Sequence, residues 1–299
     1  MPFESLAKGP SRQLTVALWK MPLYWDQLPS WQRDNQYILS GYRAVSNSFR
    51  KSFASLTYLH NETVNIYSHL IPTILLAFFS IPLHTSLKAR YTSVSTADTI
   101  VLGCFFLGAV LCLAISATFH TVQNHSPHVA RIANQMDYIG IVFLIVGSFV
   151  PSIFYGFYCL PVLQTIYLTM ITSLGLLCAA VSATPQFRHP TWRPFRARMF
   201  IALGLSALFP VVHGVVKFGI RQMDKQIGLS WVVLQGSLYI IGACLYAAQV
   251  PERIYPGAFD IWISSHQIFH FMVVMAIISH LYGLIKAFNY NHSFMAIYC

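Results

Sequence analysis

The fold class of this chain is decided by the stretch Ser264-Ser-His-Gln-Ile-Phe-His-Phe-Met-Val-Val-Met-Ala-Ile-Ile-Ser-His-Leu-Tyr-Gly-Leu-Ile-Lys-Ala-Phe288. It exceeds the roughly 20 apolar residues that a hydrocarbon core requires, so it predicts a membrane helix. At its head, His266 and His270 are four residues apart and share one helix face, one turn above the other. This spacing suits two ligands of one metal ion, although a histidine pair is also common at a polar helix end.

The composition of the whole chain supports a membrane protein. Of its 299 residues, 56% are hydrophobic and 15% aromatic, and only 9% are charged, whereas a soluble domain has about 25% charged residues. The formal net charge of +10 does not indicate a nucleic-acid partner, because the lysines and arginines lie in loops and the N-terminal arm and form no stripe on a soluble domain.

Seven apolar segments predict an all-α membrane protein, a seven-transmembrane helix bundle over residues 67–288. Residues 1–66 form a predicted N-terminal arm, partly disordered or lying on a membrane surface, in which Leu14–Leu23 is amphipathic, and residues 289–299 form a short tail. The arm could equally bind a partner protein. The predicted segments are Tyr67–Leu87, Asp98–Gln123, Ile132–Ile153, Leu160–Ala183, Arg198–Gly219, Leu229–Gln249 and Ser264–Phe288.

The loop charges predict the orientation. The arm and the loops around Arg131, Arg188–Arg198 and Arg253 carry 13 of the 19 lysines and arginines, and the opposite side carries 6. Because positively charged loops stay in the cytosol, we expect a cytosolic N-terminus and a C-terminus outside.

With this topology, further polar residues arrive at the same depth as the histidine pair. Ser116 and His120 end the second segment, and Asp137 lies about a turn inside the third. His120, His266 and His270 are predicted to bind zinc and to leave a fourth position for water, which is typical of a catalytic site. Asp137 would hold or deprotonate that water, and Ser116 could bind Asp137, the water or an oxyanion. Alternatively, Asp137 only pairs with a histidine or arginine, or caps its helix.

From Gly41 onward, the sequence resembles the progestin and adipoQ receptor (PAQR) family, which includes the adiponectin receptors, the fungal zinc-homeostasis membrane proteins and the bacterial hemolysin III-like proteins. Several long motifs lie in the same order along the chain. They are Gly41-Tyr-Arg43, His60-Asn-Glu-Thr-Val-Asn-Ile-Tyr-Ser-His-Leu70, Ser116–His120, Asp137-Tyr-Ile-Gly-Ile141 with Gly147-Ser148 and Pro151, Pro251-Glu-Arg253, Pro256-Gly257, Phe259-Asp-Ile-Trp262 and Ser265–His270.

The resemblance implies seven helices with a cytosolic N-terminus. It also implies a zinc ion held by His120, His266 and His270, with Asp137 and Ser116 beside it as catalytic residues. Family members with this set resemble membrane hydrolases of lipid amides, in particular ceramide. Others are described as receptors for extracellular ligands. The fungal members, which this compact chain resembles most, are tied to zinc homeostasis and to sterol or sphingolipid metabolism.

Three functions follow as hypotheses. The first is a zinc-dependent amidase with a ceramide-like lipid or fatty acid in an intramembrane cavity, where aromatic side chains could line the cavity or only pack the helices. The second is a receptor for an extracellular ligand, with structural zinc. The third, a transporter, is less favoured because few ionisable residues lie near the predicted midplane. The compartment stays open between endoplasmic reticulum, plasma membrane and other endomembranes.

Overall fold

Seven helices that are long and apolar enough to cross a membrane make up most of the fold. The computed structural model describes residues 20–184 and 192–295, and this part contains no β-strand. The prediction of an all-α, seven-helix membrane protein is confirmed. The membrane helices, numbered first to seventh below, are Thr63–Lys88, Thr96–Val122, Pro127–Gly156, Pro161–Ala183, Phe195–Phe218, Leu229–Ala248 and Ser265–Met295.

The orientation in the membrane stays a prediction from the loop charges. We therefore call the end of the bundle that carries the start of the seventh helix the site end, and the opposite end the far end. The predicted amphipathic piece Leu14–Leu23 lies largely outside the described residues, as do the last residues of the predicted tail. The start of that tail is helical, because Ser265–Tyr290 continues into a π-helical turn, Asn291–Met295.

The fifth membrane helix is interrupted near its middle. Its two parts are Arg193–Leu205 and Leu208–Phe218. The break has a partly covalent cause, because Pro210 has no N–H to donate to the carbonyl of Ser206 four residues earlier. The Ser206 hydroxyl instead turns back to the Leu203 carbonyl at 2.7 Å. Pro72, Pro82 and Pro151 lie inside uninterrupted helices, so the missing N–H of Pro210 contributes to the break and does not by itself account for it.

The second and third helices pack closely because glycines line their interface. A Cβ atom on Gly108 would lie 2.5 Å from the Phe143 carbonyl oxygen, and one on Gly147 would lie 2.6 Å from the Cys104 carbonyl oxygen. Small residues allow helix backbones to approach in this way. The close pair fixes the second helix, which carries Ser116 and His120, against the third, which carries Asp137.

The segment before the first membrane helix packs over the site end. Its backbone pairs Leu23 with Tyr42, through N–H···O contacts of 2.7 and 3.1 Å, and it buries Leu28 and Ile38. Farther along, a short helix, Phe49–Ala54, begins at Ser48, whose hydroxyl accepts from the Lys51 N–H. The described part of the predicted arm is therefore ordered against the bundle.

Candidate metal centre

Three histidines meet at the site end. His120 comes from the end of the second helix, and His266 and His270 come from the first turns of the seventh. One ring nitrogen from each lies within 4.8 Å of the others, and the ring centroids are 4.8 to 5.0 Å apart. His120 and His270 are buried, each 2% exposed. Nitrogen ligands converging at this spacing are typical of a zinc site.

His120 is held in one orientation by its neighbours. Its Nδ1 lies 2.8 Å from Oε2 of Glu62, at the entrance of the first helix. Its Nε2 is buried and has no hydrogen-bond partner among the described residues. The buried Arg43 guanidinium donates to the carbonyls of His120 and Thr121, at 2.5 and 2.9 Å. A carboxylate on one imidazole nitrogen leaves the other as an acceptor for a metal ion.

His270 is oriented in the same way from the first helix. Its Nδ1 lies 3.1 Å from the Asn65 carbonyl oxygen and 3.1 Å from the Ser68 hydroxyl. An Nδ1–H that donates to a carbonyl leaves Nε2 as the acceptor. Ligand type, spacing, the unpartnered Nε2 of His120 and these orienting contacts together fit a zinc ion.

The start of the seventh helix, which carries His266, is fixed by a buried carboxylate. Glu252 accepts hydrogen bonds from the Ser265 N–H at 2.7 Å, from the Ser265 hydroxyl, and from the Asn35 amide at 3.0 Å. These contacts satisfy an N–H at the helix start that has no partner within the helix. The negative charge of Glu252 near the positive end of the helix dipole also stabilises the helix. They also tie the N-terminal segment to the loop before the seventh helix.

Asp137 and Ser116 lie beside the three histidines, as the sequence predicted for their depth. The Asp137 carboxyl faces the Ser116 hydroxyl and is close to His120. Asp137 does not cap the third helix, because that helix begins at Ser126, whose side chain accepts from the Val129 N–H. The structure therefore brings together all five residues predicted for the site.

Two cavities meet at this site. An apolar cavity of about 300 Å³ runs among the membrane helices. A more polar cavity of about 330 Å³ lies under the N-terminal segment. Both are lined by Asp137, Tyr138, Tyr246 and His266. The candidate metal centre thus lies where an apolar cavity adjoins a more polar one, an arrangement that suits an amphipathic molecule.

Burial and neighbouring charges shift the pKa values of three titratable groups just outside the first membrane helix. Burial lowers the pKa of His60 to about 3, and the Arg43 charge adds to this effect. Burial also lowers the pKa of Arg43, to about 10. Burial raises the pKa of Glu62, but hydrogen bonds from His120 and Asn65 outweigh it and hold the pKa well below its usual range. Glu62 is therefore an ionised acceptor beside the His120 imidazole.

The sequence motif His60–Leu70 contains Glu62, Asn65 and His69, for which no role was predicted. Their spacing of three and four residues places them on one face of the first helix, which was the available clue. Arg43 also had no predicted role. Its part in holding His120 depends on a contact between residues 77 positions apart, which periodicity does not reveal.

Four further histidines, His125, His213, His280 and His292, lie apart from the centre. His213 bonds the Tyr167 hydroxyl at 2.7 Å, and His125 lies 3.1 Å from the Ser126 hydroxyl. His280 is buried farther along the seventh helix and donates to the Ser148 carbonyl at 3.1 Å. His292 belongs to a separate cluster at the far end, where its Nε2 lies 2.9 Å from Asp98.

Comparison with known proteins identifies the family. Residues 57–281 match the model of the family described as "Haemolysin-III related". The chain is 44% identical over 269 residues to "ADIPOR-like receptor IZH2" of Saccharomyces cerevisiae, covering 90% of this chain and 84% of that protein. It is 41% identical over 280 residues to "Adiponectin receptor protein" of Drosophila melanogaster, covering 94% of this chain but only 62% of that protein.

A plant protein, "Heptahelical transmembrane protein 1" of Arabidopsis thaliana, is 35% identical over 263 residues, which cover 85% of this chain and 77% of that protein. The animal, fungal and plant relatives all match most of this chain. The chain is a multi-pass membrane protein of the haemolysin III-related, or progestin and adipoQ receptor, family.

Proposed function

We propose that this protein is a zinc-dependent membrane hydrolase of lipid amides, with ceramide-like lipids as the substrate class. The proposal is supported by one observation above all: three imidazoles spaced as ligands of one metal ion and a carboxyl group lie where an apolar and a polar cavity adjoin. The acyl chain of a lipid amide fits the apolar chamber, and its polar head fits the chamber under the N-terminal segment. The amide bond between them then lies at the junction.

His120, His266 and His270 would hold the zinc ion through one nitrogen each. When bound, zinc supplies a Lewis acid and lowers the pKa of water towards neutrality. The protein's own groups handle the protons. Water adds to the amide carbonyl carbon while Asp137 accepts its proton. The carbon–nitrogen bond then breaks, and Asp137 returns the proton to the leaving amine, which yields a fatty acid and a free amine.

Ser116 supports this proton transfer from the second helix. It is 3% exposed, and its hydroxyl faces the Asp137 carboxyl. A hydroxyl in this position can hold the carboxylate in place or donate to the carbonyl oxygen as negative charge develops there. Both roles need a site from which bulk water is largely excluded, and the burial of Ser116, His120 and His270 meets this condition.

The test compares the wild type with Asp137→Asn in detergent, measuring bound zinc and fatty acid release from short- and long-chain ceramides. We expect the variant to keep its zinc and to lose turnover by roughly 100-fold or more, because general acid–base catalysis contributes this much. Asp26→Asn, which changes an exposed carboxyl in the N-terminal segment, is the matched control and should keep full turnover.

Two results would overturn the hydrolase proposal. If wild type and variant both hold zinc and neither cleaves any ceramide, the metal is structural and the protein is not a ceramide hydrolase. If purified wild type holds no zinc, the assignment of the three histidines is itself wrong.

A second candidate function is a membrane receptor or sensor with structural zinc. The yeast and fly relatives carry receptor names. In addition, Arg43 joins the N-terminal segment directly to the backbone of His120, so a change at the centre has a path to that segment. A receptor should keep its cellular response when Asp137 is replaced by Asn, whereas a response that needs hydrolysis should be lost.

A further inference from the structure

A fourth histidine lies against the metal centre without belonging to it. His69, on the first membrane helix, is 3% exposed and stacks flat on the ring of His270, with centroids 3.7 Å apart and planes 2° apart. It lines the apolar cavity together with Ser116 and Asp137. The nitrogens that converge within 4.8 Å come from His120, His266 and His270. His69 is therefore a neighbour of the ligands and not one of them.

Neither ring nitrogen of His69 makes a well-formed hydrogen bond to the described residues, although the His270 backbone lies near the ring. Nδ1 and Nε2 are both buried, and neither has a hydrogen-bond partner among the described residues. In either neutral tautomer one imidazole nitrogen donates and the other accepts. A buried donor without an acceptor is unfavourable, and such groups in folded proteins call for a specific explanation. Stacking on His270 uses the face of the ring and leaves both nitrogens unexplained.

Two other histidines of the bundle show how buried imidazoles use protein hydrogen-bond partners. His270 uses its Nδ1 on the Asn65 carbonyl and the Ser68 hydroxyl. His280 donates to the Ser148 carbonyl through Nε2, and only its Nδ1 has no partner among the described residues. His69 makes no such contact, although it comes from the same helix turn as Ser68. Its position in the cavity lining indicates that its partner is a molecule that enters the cavity.

We propose that His69 is a substrate-positioning residue that donates a hydrogen bond to the acyl oxygen of the bound lipid. The inference rests on the proposed function, because it takes the lipid amide to lie at the junction of the two cavities. The carbonyl oxygen of an amide and the carboxylate of a fatty acid both accept such a bond. A hydrocarbon of the same length does not. His69 therefore selects chains that carry an acyl group at the metal centre.

Two substitutions separate this role from a structural one. His69→Phe keeps an aromatic ring that can stack on His270 but removes both nitrogens. His69→Gln removes the ring but keeps a donor and an acceptor. If stacking is what matters, Phe is tolerated and Gln is not. If hydrogen bonding matters, the order is reversed.

The experiment measures bound zinc, equilibrium binding of a radiolabelled long-chain fatty acid and of a ceramide, competition by a hydrocarbon of matched length, and ceramide turnover. We expect His69→Phe to keep zinc, to bind both acyl lipids about tenfold more weakly, and to raise KM. The hydrocarbon should compete equally well in wild type and His69→Phe. His69→Gln should recover most of the affinity for the acyl lipids.

The inference is overturned if His69→Phe binds and cleaves like wild type, if it loses zinc, or if His69→Gln is the weaker of the two variants. Failure of the proposed function gives a different pattern. A wild type that binds acyl lipids but cleaves none rules out the hydrolase, while the binding order of the two variants still decides the role of His69. A wild type that binds neither acyl lipid overturns both.

Discussion

The two ends of the bundle each carry a histidine–carboxylate pair, fully buried at the far end and partly buried at the site end, and the pairs differ in what is left unsatisfied. At the far end, His292 places Nε2 2.9 Å from Asp98 and Nδ1 2.9 Å from the Ser93 hydroxyl. The second oxygen of Asp98 accepts from the N–H and hydroxyl of Ser95 at 2.9 and 2.8 Å, and the first also accepts from the Tyr155 hydroxyl at 3.0 Å. Every polar atom of that pair has a protein partner.

The site end also pairs a histidine with a carboxylate, but there some imidazole nitrogens have no protein partner. His120 lies 2.8 Å from Glu62 through Nδ1, but its Nε2 has no partner within the part of the chain that the structure describes, nor has either nitrogen of His69. A saturated network stabilises a fold, because nothing further is needed to offset its burial. Nitrogens left unpaired in a buried site call for an explanation such as a metal or a ligand. Such atoms also occur elsewhere in the bundle, for example the side-chain oxygens of Gln226 and Asn291, so the site end is distinguished by the convergence of its imidazoles as well as by their unpaired nitrogens.

The largest expected effect comes from removing one histidine at each end. His120→Ala leaves two of the three imidazoles, so we expect bound zinc and ceramide turnover both to fall below detection. His292→Ala removes a partner of Asp98 and should lower thermal stability, yet each folded molecule should keep its zinc. Zinc content per folded molecule, measured after size-exclusion chromatography, checks both. A His120→Ala variant that keeps full zinc would show that the unpaired nitrogen of His120 does not mark a metal site.

Removing the far-end carboxylate should give the next largest effect. Asp98→Leu leaves His292 and Tyr155 without their acceptor in a buried site. Breaking a buried pair in this way costs about 3–5 kcal/mol. We expect a clear fall in the thermal unfolding midpoint in detergent, with unchanged zinc and unchanged turnover below that midpoint. A variant as stable as wild type would mean that the far-end cluster contributes nothing net, and a variant that loses zinc would mean that the two ends are coupled.

The fold was predictable from sequence because it follows from local composition. An apolar run of about 20 residues or more is stable in a membrane as a helix, because a helix satisfies its own backbone hydrogen bonds. The structure has all seven predicted helices. Pro210 marks a place where a helix can break, but Pro72, Pro82 and Pro151 lie inside continuous helices, so the proline alone did not predict the break. What local composition cannot give is the ordered path of the N-terminal segment, since its contacts with Glu252 and Asp260 join residues more than 200 positions apart.

The depth of each residue along its helix predicted which residues lie at the level of the site, but not how their side chains are oriented. Depth brought Ser116, His120 and Asp137 to the level of the seventh helix, and all lie there. Depth does not tell which way an imidazole faces or which of its nitrogens is occupied. His69 and His292 therefore looked alike in the sequence as single histidines near helix ends. Only the contacts separate them, because His292 has partners on both nitrogens and His69 has none among the described residues.

The smallest expected effect tests whether Glu62 acts as an orienting group or as a ligand. Glu62→Gln keeps the size and one acceptor oxygen for the Nδ1–H of His120, but it removes the negative charge that makes the imidazole a better donor to the metal. Loss of such an outer partner typically weakens metal affinity about 10- to 100-fold. Competition with a chromophoric chelator measures the zinc affinity, and Asp26→Asn, an exposed carboxyl of the N-terminal segment, is the control.

The size of that change decides the role of Glu62. An affinity equal to that of wild type would show that Glu62 only fills space beside His120, and the site end would then differ from the far end only in its unpaired nitrogens. Complete loss of zinc would show that Glu62 is itself a metal ligand. A loss within the expected range would mean that the carboxylate at each end pairs with a histidine but serves a different purpose. Asp98 then holds helices together, whereas Glu62 sets how firmly His120 binds its metal.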